Sequence, residues 1–428
     1  MLSSSADSTH PAAATGLELR PFRALTYRRR DPGHLARVSS PAYDLVTPEG
    51  RDRLAAADPH NIVRLILPGV ASGFDGADAT RSSVAVAAAT LRDWEDFGVL
   101  ERDPGPALWV YAMRPADGAP ETVGWLGAVG LPPAGSRAVL PHEDTFPVAV
   151  EGRRALLAAT STDLEPIVLA HDPQPDVPAL TAVAQDGAPT LEVTDADGVR
   201  HALWRVTDPT LTGAVSAALA DTAAVIADGH HRFAAARAHG AHAILALVTP
   251  MGPGGLRVQP IHRVVPDLAL DEALAAASAG FRVTELGTDA AGPAEAVWRW
   301  IADPAGSGLL VSDGARLVRL DAPSGEVLAA VPPEAPAAWR GLDVVLAHHG
   351  LVQRLWGRDD DHEGVLIAHG VADALAGARS RRGVAVLLRA PSPADVAAVA
   401  RANARMPRKS TLFVPKPRTG LVLRPHGD

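Results

Sequence analysis

The chain has 428 residues, 47% hydrophobic and 21% charged, with no Cys and a formal net charge of −9. That length fits two or three packed domains, and the composition excludes a largely disordered protein. The absence of Cys excludes disulfides, Cys-ligated zinc and thiol catalysis, and the acidic balance argues against a general nucleic-acid binder.

Residues 1–16 are rich in Ser and Ala but lack a basic start and an apolar stretch, so they read as a disordered tail and not as a secretion signal. No apolar run approaches the ~20 residues of a membrane span, and a cytoplasmic protein with no membrane contact is expected. Thr47-Pro48-Glu49 is a helix start, with a capping hydroxyl and Pro at the first helical position. Residues 61–67 (NIVRLIL) read as a buried strand closed by Pro68-Gly69. Residues 80–97 place Val84, Ala88, Leu91 and Trp94 at helical spacing. Strands are expected at 108–113 and 123–131, a helix at 153–160 and a strand at 165–169. A Pro- and Asp-rich insertion, about 170–222, carries a turn at 195–198 and a helix at 209–219.

From there the pattern alternates: strand 223–227, helix 230–239, strand 244–248, loop 250–255, strand 257–265. Helices at 271–279, 291–301, 341–351, 372–378 and 393–404 follow, with strands at 281–284, 384–389 and near Leu309 and Leu317. Alternation of this kind means α/β layers. The expected division is a tail at 1–16, an α/β part at 17–115, a core at 116–268 and a C-terminal α/β part at 269–428.

The chemistry concentrates at Ala224–Ala238, AVIADGHHRFAAARA. A buried strand runs straight into Asp228-Gly229, and a helix begins at His230. Such a helix aims unpaired backbone N–H groups and the positive end of its dipole at whatever stands before it. Gly229 permits close approach to the backbone, and His230, His231 and Arg232 add donors, Arg being able to grip phosphate oxygens bidentately. The bland alternative is a helix whose Asp merely caps its first amides. It explains Asp228 but not three basic residues behind a Gly. Adjacent helical His point about 100° apart, which disfavours a shared metal, and no H-E-x-x-H is present.

Three further clusters are candidates. Pro141-His142-Glu143 with Thr145 forms a polar turn ahead of Arg153. Gln259–Arg263 (QPIHR) ends a strand soon after the phosphate turn, so His262 and Arg263 are candidates for the same pocket. Arg408-Lys409-Ser410-Thr411 offers two cations and two hydroxyls. Only Lys409 and Lys416 are Lys among 40 basic residues, and a compact ammonium is needed where a planar guanidinium does not fit. Lys409 is expected to reach a bound phosphate; chance clustering of the two lysines is the alternative.

Leu164-Glu165-Pro166-Ile167-Val168 and Gly229-His230-His231-Arg232-Phe233-Ala234-Ala235 resemble the two boxes of the ParB/sulfiredoxin superfamily, with the insertion as a departure between them. The resemblance implies a ParB/sulfiredoxin-like nucleotide-binding core flanked by family-specific N- and C-terminal α/β parts. Its members include CTP-hydrolysing partition proteins, ATP-using sulfinic-acid reductases and free-serine kinases. In the serine-kinase branch a Glu upstream of the first box acts as base, and Glu143 matches that position best. The whole chain is also similar to the family of unknown function DUF1015, through LRPFRAL at 19–25, NIVRLILP at 61–68, LPHE at 140–143, IADGHHR at 226–232 and MPRKSTLFVPKPRTGLV at 406–422.

The expectation is a phosphotransferase that uses ATP or ADP with Mg²⁺ and acts on a small hydroxyl-bearing metabolite. Glu143, His230 and His231 are its catalytic candidates. Asp228, Gly229, His230, His231, Arg232, Lys409, Ser410 and Thr411 are expected to bind nucleotide, and His142, Thr145, Arg153, His262 and Arg263 the substrate. The alternatives are a nucleotide-binding switch without small-molecule turnover, and a phosphoesterase using the same phosphate site.

Overall fold

The computed structural model describes residues 16–69, 76–252, 254–287, 292–303, 306–359, 364–407 and 409–427. The tail expected at 1–16 therefore lies outside the described residues except for Gly16, as does Arg408. The chain forms two compact units: Met1–Leu140 with Thr145–Gly255 and Pro415–Asp428, and Pro141–Asp144 with Leu256–Val414.

The first unit is built on a nine-stranded mixed sheet. Its strands are β1 (Leu19–Arg20), β2 (Leu108–Arg114), β3 (Thr122–Gly130), β4 (Val139–Leu140), β5 (Ile167–His171), β6 (Leu191–Thr194), β7 (Arg200–Val206), β8 (Ala224–Asp228) and β9 (Ala243–Pro250). They run in the order β4-β8-β5-β9-β3-β2-β7-β6, with β1 paired to β3. Residue 115, expected as a domain boundary, sits in the turn between β2 and β3, which pair with each other. The expected insertion is integral to this sheet. Its hairpin β6–β7, turned by Asp195 accepting the N–H groups of Asp197 and Val199, extends the edge through β7 on β2.

Helices cover both faces. Besides the helix Pro32–Val38, they include α1 (Pro48–Ala57), α2 (Val63–Ile66), α3 (Gly76–Asp96), α4 (Pro147–Thr160), α5 (Val177–Ala184), α6 (Pro209–Leu219) and α7 (His230–His239). Side chains alternate along β2. Trp109, Tyr111 and Met113 join Leu91 and Trp94 of α3 in one core. Leu108 and Val110 join Val215 of α6 and Phe233 of α7 in the other. Period-two alternation with both faces apolar is what a doubly covered sheet demands.

Where a strand was expected at 61–67, Val63–Ile66 form helix α2. Asn61 decides this: its Oδ1 accepts the Val63 N–H and its Nδ2 donates to the carbonyls of Arg37 and Ser39, starting a turn that an apolar run does not reveal. The second unit carries a six-stranded sheet with buried apolar clusters on its two faces. The expected strand 257–265 is two strands, Arg257–Gln259 and His262–Val265, which separate at Pro260 and enter different sheets. Pro lacks the N–H a continuous ladder needs.

Candidate functional site

In the first unit β8 passes into α7 through one residue. Gly229 takes φ +95°, and a Cβ there would meet Ile167 Cγ2 at 2.6 Å, so backbone conformation and space both require glycine. It has no side chain with which to cap the helix. Asp228 does not cap it either. Its carboxylate is bound by the Arg232 guanidinium and by Lys416 Nζ, the latter at 2.7 Å. The bland alternative, an Asp spent on the first amides, is not the arrangement adopted.

Lys416 is the residue that sequence reasoning passed over in favour of Lys409. Its ammonium lies 2.5 Å from Asp44 Oδ2 as well as 2.7 Å from Asp228 Oδ1, with the side chain 9% exposed. Burial lowers the Lys416 pKa, but the two carboxylates outweigh it and hold the value above the ordinary lysine range. For Asp228, burial raises the pKa, and the charges of Arg232 and Lys416 outweigh it and hold the carboxyl below the usual range. The signal in the sequence was the rarity of Lys; its partner Asp44 lies 372 positions away.

Arg232 was expected to reach for phosphate. Its guanidinium instead donates to the Pro166 carbonyl and to Asp228, while its Nε is buried without a hydrogen-bond partner. Tyr43 lies beneath this group: Arg232 and Arg153 stand over its ring at 5.6 and 4.2 Å. The Tyr43 N–H and the Thr419 hydroxyl both donate to Glu165, which is buried. Arg153 donates to the Ile66 carbonyl. His230 is buried, and His231 Nε2 accepts the Phe146 N–H at 3.2 Å while its ring stacks on that of Phe146. In the neutral ring Nδ1 then carries the hydrogen. Thr145 precedes Phe146, the residue before α4.

A cavity of about 50 Å³, room for a few waters and not for a nucleotide, is lined by Arg153, Glu165 and Arg232. A cleft of about 550 Å³ shares Arg153 with it and is walled by Thr47, Arg51, Ser83 and Gly69.

The second unit gathers the other expected clusters. Thr411 donates its hydroxyl to Glu143 at 3.2 Å and meets His142 Nε2 at 3.0 Å. Arg263 donates to the Lys409 carbonyl. Lys409 is exposed and in the left-handed region, with φ 49°, and the Ser410 hydroxyl donates to Pro407. Both expected phosphate-binding hydroxyls are thus engaged within the unit. His262 is fully buried; its Nδ1 accepts the Leu388 N–H, and burial, with the nearby Arg263 charge, lowers its pKa to about 4. Among the described residues no three His, Asp or Glu side chains form a metal-sized cluster, and no helix is long and apolar enough to cross a membrane.

A search of curated proteins finds no match. Among solved structures the chain is similar to a free serine kinase in complex with AMP, at 15% identity over 66% of this chain and 89% of that one, TM-score 0.33. It is also similar to SbnI with a C-terminal truncation from Staphylococcus aureus, at 13% identity over 69% and 85%, TM-score 0.36. A third is a conserved hypothetical protein from Pyrococcus furiosus, at 15% identity over 65% and 87%, TM-score 0.31. The family described as Protein of unknown function (DUF1015) matches residues 19–345, which is most of the chain, and the protein belongs to that family.

Proposed function

We propose that the first unit binds the phosphate groups of a nucleotide, ATP or ADP, in front of α7, and that the protein is a phosphotransferase acting on a small hydroxyl-bearing metabolite. The observation that carries the reading is the β8–Gly229–α7 junction. A strand delivers the positive end of a helix dipole with no side-chain cap from the residue before it. The carboxylate on the junction itself, Asp228, is bound by Arg232 and by Lys416, which it shares with Asp44. An unneutralised Asp228 would repel a phosphate; tied to two cations it does not. Arg232 and Lys416 thus act by fixing the turn and offsetting its charge, and the backbone of the first turn supplies the donors. The cleft beside Arg153, about 550 Å³, is large enough for a substrate.

Mg²⁺ is the metal such chemistry uses, and it needs only one or two carboxylates when it arrives on phosphates. Asp44 and Asp228 fit that limited role, but each would have to release Lys416. The acid–base role of Glu143 rests on resemblance alone.

Isothermal titration with ATP, ADP and CTP tests the reading, followed by ³¹P NMR of the products with candidate hydroxyl acceptors. Transfer to an acceptor supports the phosphotransferase, and release of inorganic phosphate the phosphoesterase. Nucleotide bound without turnover supports the switch. Failure of all three nucleotides to bind ends the proposal.

A further inference from the structure

A second, partly open cavity in the first unit lies at the far end of β5 from the phosphate turn. Ile167, at the start of β5, packs against Gly229, whereas His171 closes the strand. Four residues of strand place the two ends about 13 Å apart. There a cavity of about 300 Å³ is walled by α5 and by the ends of β3, β5 and β9, with Trp125, Val177, Thr181, Val248 and His171 in its lining.

Its lining also holds the side-chain amides of Gln185 and of Gln174, which donates to the Asp172 carbonyl. The Trp125 indole N–H donates to the Thr181 hydroxyl, and that hydroxyl donates to the Val177 carbonyl. His171 is 1% exposed. Its Nδ1 is 2.7 Å from the Asp172 carbonyl oxygen. A carbonyl only accepts, so Nδ1 bears the hydrogen and Nε2 presents a lone pair. Burial, the largest influence, holds the ring below the ordinary histidine pKa and therefore neutral at pH 7. None of the residues lining the cavity carries a formal charge other than through this His.

A charged ligand entering such a space would lose hydration without gaining a counter-charge. An apolar body bearing one N–H or O–H would bury its surface and satisfy Nε2. The volume is at the small end of ligand pockets, about 300–1,000 Å³, which suits one or two fused rings.

We propose that this cavity is a binding site for a small uncharged aromatic molecule that donates one hydrogen bond to Nε2 of His171. It is independent of the phosphate reading, since no residue is common to the two.

Indole and 1-methylindole test the assignment, because they share a shape and differ in the single donor. Saturation-transfer NMR and titration calorimetry on the full chain are expected to show indole binding, with 1-methylindole at least ~10-fold weaker. Ala182→Trp puts a bulky ring into the cavity from the exposed side of α5 and is expected to abolish indole binding with the fold retained by circular dichroism. Should that variant not fold, His171→Phe keeps the ring shape, removes the acceptor and is expected to erase the preference for indole over its methyl derivative. No binding of indole, equal binding of the two probes, or indole binding that survives Ala182→Trp would each overturn the proposal.

Discussion

At the scale of single residues, the chain's rare lysine carries the argument. An ammonium is small enough to sit between two carboxylates that converge from distant parts of the sequence, where a guanidinium would force them apart. Removing one partner of a buried pair leaves the other charge uncompensated, which costs about 3–5 kcal/mol. Lys416→Met is therefore expected to destabilise the first unit by about 3 kcal/mol, measured by denaturant unfolding. Its pH dependence has a definite sign. Asp228, held below its unfolded pKa, contributes stability above about pH 4 that is lost as pH falls through its folded value. Without Lys416 that folded value rises, so acid unfolding of the variant should begin at higher pH than in the wild type. Identical acid transitions would exclude the ion pair as a stabilising element. Arg232→Ala, from the same cluster, is expected to lower both stability and phosphate affinity, because Arg232 holds the Pro166 carbonyl and Asp228 in place. Loss of affinity alone would return it to direct phosphate contact. The sequence singled out this cluster's motif but not its partners, since Asp44, Glu165 and Lys416 meet only through the tertiary fold.

At the scale of elements, caps and breakers made the pattern legible. Helix His230–His239 begins after one left-handed glycine and ends at another, Gly240 with φ 78°. Helix Pro209–Leu219 begins behind Asp208, whose side chain accepts the Thr210 N–H. Both agree with the bounds expected from sequence. The failures came where local polar groups overrode an apolar run, as Asn61 does in α2, and where a proline split one run between two sheets at Pro260. Gly229 is where element and site coincide. Gly229→Ala would force a side chain into the left-handed region and against Ile167, at a cost of order 1–3 kcal/mol. Reduced thermal stability together with reduced phosphate affinity is the expected result. Wild-type affinity in a destabilised variant would show that the junction is structural and binds no anion.

At the scale of the whole molecule, alternation of elements revealed the α/β class but not the strand order. A hairpin that reads as an insertion can add to a sheet edge without leaving a trace in local periodicity. Nor does the sequence show that Pro141–Asp144 folds with residues more than a hundred positions later. Two units with separate apolar cores are expected to unfold in separable transitions, for which a single free energy is not defined. His262 offers a means of telling them apart. Its folded pKa of about 4 lies below the ordinary value of about 6.5, so between these values the unfolded chain takes up a proton that the folded unit refuses. Stability of the second unit should therefore fall as pH drops from about 6.5 toward 4, by about 2 kcal/mol at pH 5. His262→Asn retains an acceptor for the Leu388 N–H but cannot take up that proton, so its stability relative to the wild type should improve by about that amount between pH 7 and pH 5. Lys416→Met should move the other transition. One transition that responded to both substitutions would show that the two cores unfold as a single cooperative body.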